Sequence, residues 1–297
     1  IPMTKNILHA SGIDNTKNEL SKITANALFN FMRNYSYLED ILLNMCICPR
    51  YYPEEVEYLG LQYNSEPLTE WYIPMTCFCD IPLHQISYHS EGNPLNPNDT
   101  GYGKFSIAFH KEFGIKKGIQ PIHYLNENSI NVKELSSTMN FLLNQFSYES
   151  SENEDISYLT NFIFEYIRII KPYCGVMKRK DKDNKTIKVK KNFQDEHEWR
   201  YIPNINQNEL PLMLINENDK KAEELSNIYT KSIPNTKEGV LKFEVEDIKY
   251  IFVDSVQNRN RLINFIRRKK KGRRLSLQEK DVLISKIMVF DELKEDW

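Results

Sequence analysis

The chain has 297 residues, 40% of them hydrophobic, with 39 Lys and Arg against 41 Asp and Glu for a formal net charge of -2. That length supports a sizeable core, in one large domain or two modest ones, and 17 Tyr with 15 Phe exclude a generic disordered polar chain. The near-neutral balance provides no overall field for nucleic acid, and no stretch approaches the ~20 apolar residues that span a bilayer, so the expected location is cytoplasmic, away from any membrane.

Residues 1–20 are polar, contain Gly12 and show no sustained period, which predicts a loose, flexible arm. Ile1-Pro2-Met3-Thr4-Lys5 has no apolar signal core, and Met3 reads as the natural start. Thr24 to Met32 is expected to be a strand leading into a helix over Tyr35 to Met45, where Leu38, Ile41, Leu42 and Met45 recur at helical spacing. Pro49 then ends regular structure. In Thr69 to Asp80, Pro74 suits an edge or a bulge, which narrows the clean strand to Met75–Cys79. Pro82 can open a short helix to about Ser90. Residues 92–101 form a loop rich in Gly, Pro and Asn. Lys104 to His110 alternates, with Phe105, Ile107 and Phe109 on one side, and Pro121 to Leu125 is another short strand.

The middle of the chain differs. Leu135 to Phe146 and Ile156 to Ile170 carry Leu, Phe and Ile at helical spacing, separated by an acidic loop of Glu149, Glu152, Glu154 and Asp155. They predict a helical insertion at about 130–172, packed against the sheet. Ten Lys, Arg or Asp residues over 178–191 read as a solvated hairpin tip around Asn184. The sheet resumes at Glu196 to Ile202, and a helix follows over Asp219 to Ser232. Leu241 to Val245 and Tyr250 to Val253 are strands, Arg259 to Lys271 a helix, and Ile287 to Phe290 a last strand. Strands from both ends with helices between them favour a single interleaved α+β domain over 21–297.

Candidate chemistry is sparse. Cys46 with Cys48 and Cys77 with Cys79 are C-x-C pairs; two apart on a strand they share a face and read as small buried side chains. Structural zinc pairs have wider spacing, so no metal is expected. Cys174 stands alone. On a strand, Glu196 and Glu198 project to one face with Arg200, leaving His197 and Trp199 on the other. Two such carboxylates can stabilise a cationic sugar transition state; equally, they can be an exposed face where Glu198 and Arg200 offset each other, worth ~0–1 kcal/mol. His84 and His89, five apart, do not make a metal-helix pair. Tyr102-Gly103 can bring a ring and bare backbone to a nucleotide, or simply shape a loop.

Arg267, Arg268, Lys269, Lys270, Lys271, Arg273 and Arg274 put seven cations in eight residues. They suit an acidic protein surface or phosphates, including nucleic acid, or a solvated helix end. Aromatic interleaving for base stacking is missing. No phosphate loop, H-E-x-x-H or G-x-S-x-G motif is present.

The segments Met75-Thr76-Cys77-Phe78-Cys79-Asp80-Ile81-Pro82-Leu83, Tyr102-Gly103-Lys104-Phe105-Ser106-Ile107-Ala108-Phe109 and Pro121-Ile122-His123-Tyr124 resemble the bacterial AbiGi family. Asp195-Glu196-His197-Glu198-Trp199-Arg200 and Ser285-Lys286-Ile287 fit the same pattern, and the resemblance spans about residues 24–293. It implies the antitoxin half of an abortive phage-infection system, with a cognate toxin or infection signal as partner and no cofactor. The order of pieces also resembles, more distantly, the ADP-ribosyltransferase fold: a mixed, largely antiparallel split sheet with flanking helices. That resemblance implies NAD as cofactor, with Asn30, Arg33 and Tyr102 binding it and Glu198, Glu196 and Tyr102 catalytic. Asn30 stands where that fold's histidine form has His.

Overall fold

A strand with two apolar faces belongs inside a sheet covered on both sides, and residues 27–32 form such a strand. The computed structural model describes residues 25–94, 99–148, 154–180, 185–206, 208–215, 219–269 and 272–296. In it β1 (Ala27–Met32) sends Leu28 and Met32 into one buried cluster and Ala27 and Phe29 into another. Helix α1 (Tyr35–Asn44) buries Tyr35, Leu38 and Leu42 and stops at Met45, whose φ of 52° is left-handed. The short β2 (Cys46–Ile47) and β3 (Arg50–Glu55) follow, then the small hairpin of β4 (Leu61–Tyr63) and β5 (Glu66–Leu68). Strand β6 (Glu70–Cys79) is twice the length expected, because Pro74 does not interrupt it.

Downstream come α2 (Ile86–Glu91), β7 (Phe105–His110), α3 (Lys111–Lys116), β8 (Gln120–Pro121) and β9 (His123–Leu125). The helical insertion is α4 (Ile130–Tyr148) and α5 (Glu154–Ile167), ending in β10 (Ile170–Pro172). A ribbon of β11 (Cys174–Lys180) and β12 (Thr186–Asn192) precedes β13 (Glu198–Tyr201), β14 (Leu214–Ile215) and α6 (Asp219–Ser232). The C-terminal part holds β15 (Leu241–Lys242), β16 (Ile248–Val253), α7 (Val256–Arg268), α8 (Leu277–Ser285), β17 (Ile287–Val289) and α9 (Phe290–Leu293). The expected arm at 1–20, the acidic-loop residues Glu149 and Glu152, and the hairpin tip at 181–184 lie outside the described residues.

Local chemistry explains two departures from the periodicity. Helix α7 begins at Val256 rather than Arg259 because the Ser255 hydroxyl accepts from the Asn258 N–H. Helix α8, not anticipated, is opened by a capping box in which Ser276 and Glu279 each satisfy the other's backbone N–H.

The main sheet runs β17-β16-β7-β1-β6-β13-β8, with β3 and β14 also on β6. Within it only β16–β17 is parallel among the described pairs, so the class is α+β with a largely antiparallel sheet. Pro74 is tolerated because its partner is Tyr51 of β3 alone: β14 reaches only Trp71 and Tyr72, and pairing with β13 starts only at Thr76. One face of the sheet packs Leu28, Phe78, Ile107, Phe109 and Ile251 against α1, α3, α7 and α8; the other packs Phe29, Ala108 and Phe252 under Ile86 and Phe290. At the far end of β6, Trp71 and Ile73 meet Val132, Met139, Leu143 and Ile167 of the insertion, while Tyr72 joins Ala222 of α6. Each fully buried Leu or Phe contributes roughly 1.5–3 kcal/mol. No helix among the described residues is long and apolar enough to cross a membrane.

Candidate functional site

The β6–β13 register sets Glu198 beside Cys79 and Arg200 beside Cys77. Directly paired residues share a face, and Phe29 pairs Cys79 on the other flank, so Glu198 and Arg200 project on the side of Phe29. Glu196 reaches the same place by another route. It ends a 3-10 turn over Phe193–Glu196, opened by the Asn192 side chain accepting from Gln194 N–H, and His197 (φ 43°) reverses the chain into β13. The expected three-residue alternation along one strand is therefore corrected: Glu196 precedes the strand, and the left-handed His197 restores the alignment.

Glu196 and Glu198 are 6% and 4% exposed and Arg200 0%, so of the two readings the exposed face is excluded and the residues form a buried ionic cluster. Lys171, from β10, donates to Glu198 Oε2 at 2.9 Å and to Glu196 Oε2 at 3.2 Å. Arg200 donates through Nε to Glu198 Oε1 (2.7 Å), and through its two terminal nitrogens to the Arg168 carbonyl and Glu54 Oε2 (both 2.9 Å). The Tyr102 hydroxyl donates to Glu196 Oε1, and Lys191 lies 3.6 Å from that oxygen and 3.5 Å from Asp99 Oδ1. The Glu198 N–H donates to the Tyr124 hydroxyl at 2.8 Å.

Burial by itself pushes both carboxyls up, but the cations win. Arg200 and Lys171 hold Glu198 far below the usual carboxylate range; Lys171, assisted by Lys191 and the Tyr102 hydrogen bond, lowers Glu196 against the repulsion of Glu198. Burial opposes the charge on Lys171, yet Glu196 and Glu198 raise it well above its ordinary value. Glu196, Glu198, Lys171 and Arg200 are thus each favoured in their charged forms, with neither carboxyl poised as a proton donor.

Tyr102 stacks on His89 at 4.5 Å between ring centroids, under Lys191 at 4.7 Å. His89 Nε2 lies 3.0 Å from Cys79 Sγ. Burial, then Glu196 and Glu198, push that thiol well above its ordinary value, so it stays protonated and is not an activated nucleophile. Arg33 holds the same loop from outside, donating to Thr100 Oγ1 (3.1 Å) and the Gly101 carbonyl (3.0 Å).

Asn30 is not part of the cluster. It alternates with Phe29 and Phe31, on the side of Leu28 and Met32, and its amide donates to the Cys77 carbonyl at 2.9 Å. The structure therefore unites Glu196, Glu198 and Tyr102, keeps Arg33 at the rim and puts Asn30 on the opposite sheet face from Glu198. Lys171, Lys191, Glu54 and Tyr124 were not singled out from sequence. The signal for Lys171 was available as a lone cation inside Ile169-Ile170-Lys171-Pro172. Among the described residues, no group of three or more His, Cys, Asp and Glu is placed to hold a metal.

Gly103 sits where the loop crosses β1, with φ +104°; a Cβ there would collide with the Met32 carbonyl oxygen and lie 2.7 Å from Arg33 Cα. Gly103→Ala is expected to cost roughly 2–4 kcal/mol, from left-handed strain plus a backbone clash. Urea unfolding checks this; a change within experimental error would show that the loop yields freely.

The basic run is not a uniform solvated helix end. Arg267, Arg268 and Arg274 are exposed, but Arg273 pairs with Glu244 and Glu279 and Lys269 is buried, its ammonium without a hydrogen-bond partner among the described residues. Lys270 and Lys271 lie outside the described residues.

Against known proteins, residues 45–254 match the model of a family described as "Putative abortive phage resistance protein AbiGi, antitoxin". A protein of Lactococcus lactis subsp. cremoris named abortive phage resistance protein AbiGi is 57% identical over 254 residues, covering 85% of this chain and 100% of its own length. No solved structure matches the chain.

Proposed function

The chain belongs to the AbiGi family, and from that premise we propose that it serves in abortive phage resistance as an antitoxin that binds a partner toxin. The observation that carries a binding role, rather than turnover, is the saturation of the polar cluster. Lys171 and Arg200 occupy both carboxylates, the Cys79 thiol is protonated, and Glu196 and Glu198 have almost no surface to offer a substrate. An acyl or glycosyl acceptor would first have to displace a buried cation, which costs several kcal/mol.

The surface supports the same reading. Arg267, Arg268 and Arg274 expose cations at and beyond the end of α7, and α5 exposes Tyr158, Leu159 and Phe162 at 73%, 55% and 60%. Exposed aromatic side chains and exposed arginines are each enriched where proteins meet partners.

Co-expression with the product of the adjacent gene is expected to give a stable complex and to neutralise its toxicity. Arg267→Glu with Arg268→Glu should slow association, most at low salt, because rim charges act mainly on encounter. The same preparation given NAD should release no free nicotinamide. Absence of any complex or neutralisation, or nicotinamide release abolished by Glu198→Gln, would refute the binding role.

A further inference from the structure

Outside the ionic cluster, a pocket of about 320 Å³ opens between the end of α5 and the loop after β13, lined by Glu165, Arg168, Ile202, Asn204, Ile205 and Leu212. Small-molecule pockets run from about 300 to 1,000 Å³, so this one suits a compact metabolite rather than a polymer. Its wall contains a charge with an incomplete set of partners. Arg168 is 5% exposed; its described side-chain hydrogen bond goes to Glu165, three residues earlier, whose side chain is 56% exposed, and Tyr51 lies within electrostatic reach. The Nε and one terminal nitrogen of Arg168 are buried with no partner among the described residues.

A buried guanidinium with unmet donors is costly, and a planar cation of this kind is best satisfied by an oxyanion. Glu165, solvated and held by a single bond, is a weak competitor for such a group. Ile202, Ile205 and Leu212 can cover an apolar body, and the exposed Asn204, whose amide also donates to Glu238 Oε2 at 3.5 Å, lines the pocket with a polar side chain.

We propose that this pocket binds a small organic anion, a carboxylate or phosphate monoester, whose oxyanion takes Arg168 while its body lies on Ile205 and Leu212. Because its unmet donors are buried as the side chain stands, this binding requires Arg168 to rotate toward the occupant. Because the Arg168 carbonyl accepts from Arg200 at 2.9 Å, the pocket abuts the ionic cluster through one backbone group. The assignment does not depend on the antitoxin reading.

Calorimetric titration of the full chain with adenosine monophosphate, benzoate and inorganic phosphate tests it, together with the nitrogen-15 resonance of Arg168 Nε–H. At least one organic probe should bind and shift that resonance. Arg168→Gln should weaken it roughly tenfold or more, since hydrogen bonds to a charged group are lost. Leu212→Trp, on the half-exposed wall, should block it by filling the space and covers the case in which Arg168→Gln fails to fold. Competition by inorganic phosphate identifies a phosphate ester, and benzoate binding without it a carboxylate. Binding by none of the probes, or binding undiminished in a folded variant of either kind, overturns the proposal.

Discussion

Arg200→Met should lose about 3–5 kcal/mol of folding stability in urea or guanidinium titration, the range for removing one partner of a buried ionic pair. The side chain is 0% exposed and joins three segments distant in sequence: Glu198 at the start of β13, Glu54 on β3 and the carbonyl of Arg168 after α5. Methionine fills a similar volume, so loss of packing is a minor part of the expected cost. What remains is Glu198, buried with Lys171 alone, and Glu54, without the guanidinium that joins it to the cluster. Combining Arg200→Met with Glu198→Gln should recover a substantial part of the loss, because a neutral amide needs no counter-charge. If Arg200→Met costs less than ~1 kcal/mol, water or movement reaches the cluster and its buried character is wrong.

Lys171→Met is expected to be comparably damaging at neutral pH, and its cost should depend on pH. In the intact protein both carboxyls are depressed below the ordinary value of 4.5. Such groups contribute stability that is present above that value and lost as pH falls below it toward their folded pKa, because the unfolded chain then binds more protons. Without Lys171, burial and the charge of Glu198 act on Glu196 with only Lys191 and Tyr102 opposing them. Its folded pKa should then rise above 4.5, which reverses the sign: over that window the folded state binds the extra proton, and acidification favours folding. The gap between wild type and Lys171→Met should therefore narrow as pH is lowered from 7 toward 4.5. A stability difference independent of pH would mean that Lys171 acts through packing on Phe193, whose ring lies 4.5 Å from its ammonium, and not through charge.

The elements were legible wherever one physical signal dominated. Leu38, Ile41 and Leu42 marked α1, and Phe105, Ile107 and Phe109 marked β7 by alternation, because each period reports a covered face. Helix α6 falls on the expected Asp219–Ser232. The spacing Ser276-Leu277-Gln278-Glu279 carried the capping signal for α8, though the helix was not inferred from it. Pro74 misled in the other direction: proline weighs against a strand interior only where both flanks pair, and partner count is not written in β6 itself.

The candidate site divides along the same line. Glu196, Glu198 and Arg200 stood out because charged residues two apart imply a shared face. Whether that face was wet could not be read locally, since burial depends on what β10, β12 and the Tyr102 loop bring against it. Lys171 is 25 residues from Glu196 and 27 from Glu198 in sequence, and Glu54 is 146 from Arg200. No local period links such positions. Asn30 shows the converse: its place in a motif order suggested a site, but the alternation of β1 turns it to the face opposite Glu198. Sequence by itself determined the near-neutral charge balance, the main helices and central strands, and the family, because these depend on near-neighbour chemistry and on motif strings. Tertiary structure alone decided that the carboxylates are buried and paired, and that Arg168 lines a pocket with donors unmet. Both are properties of long-range contacts, and local propensity does not encode them.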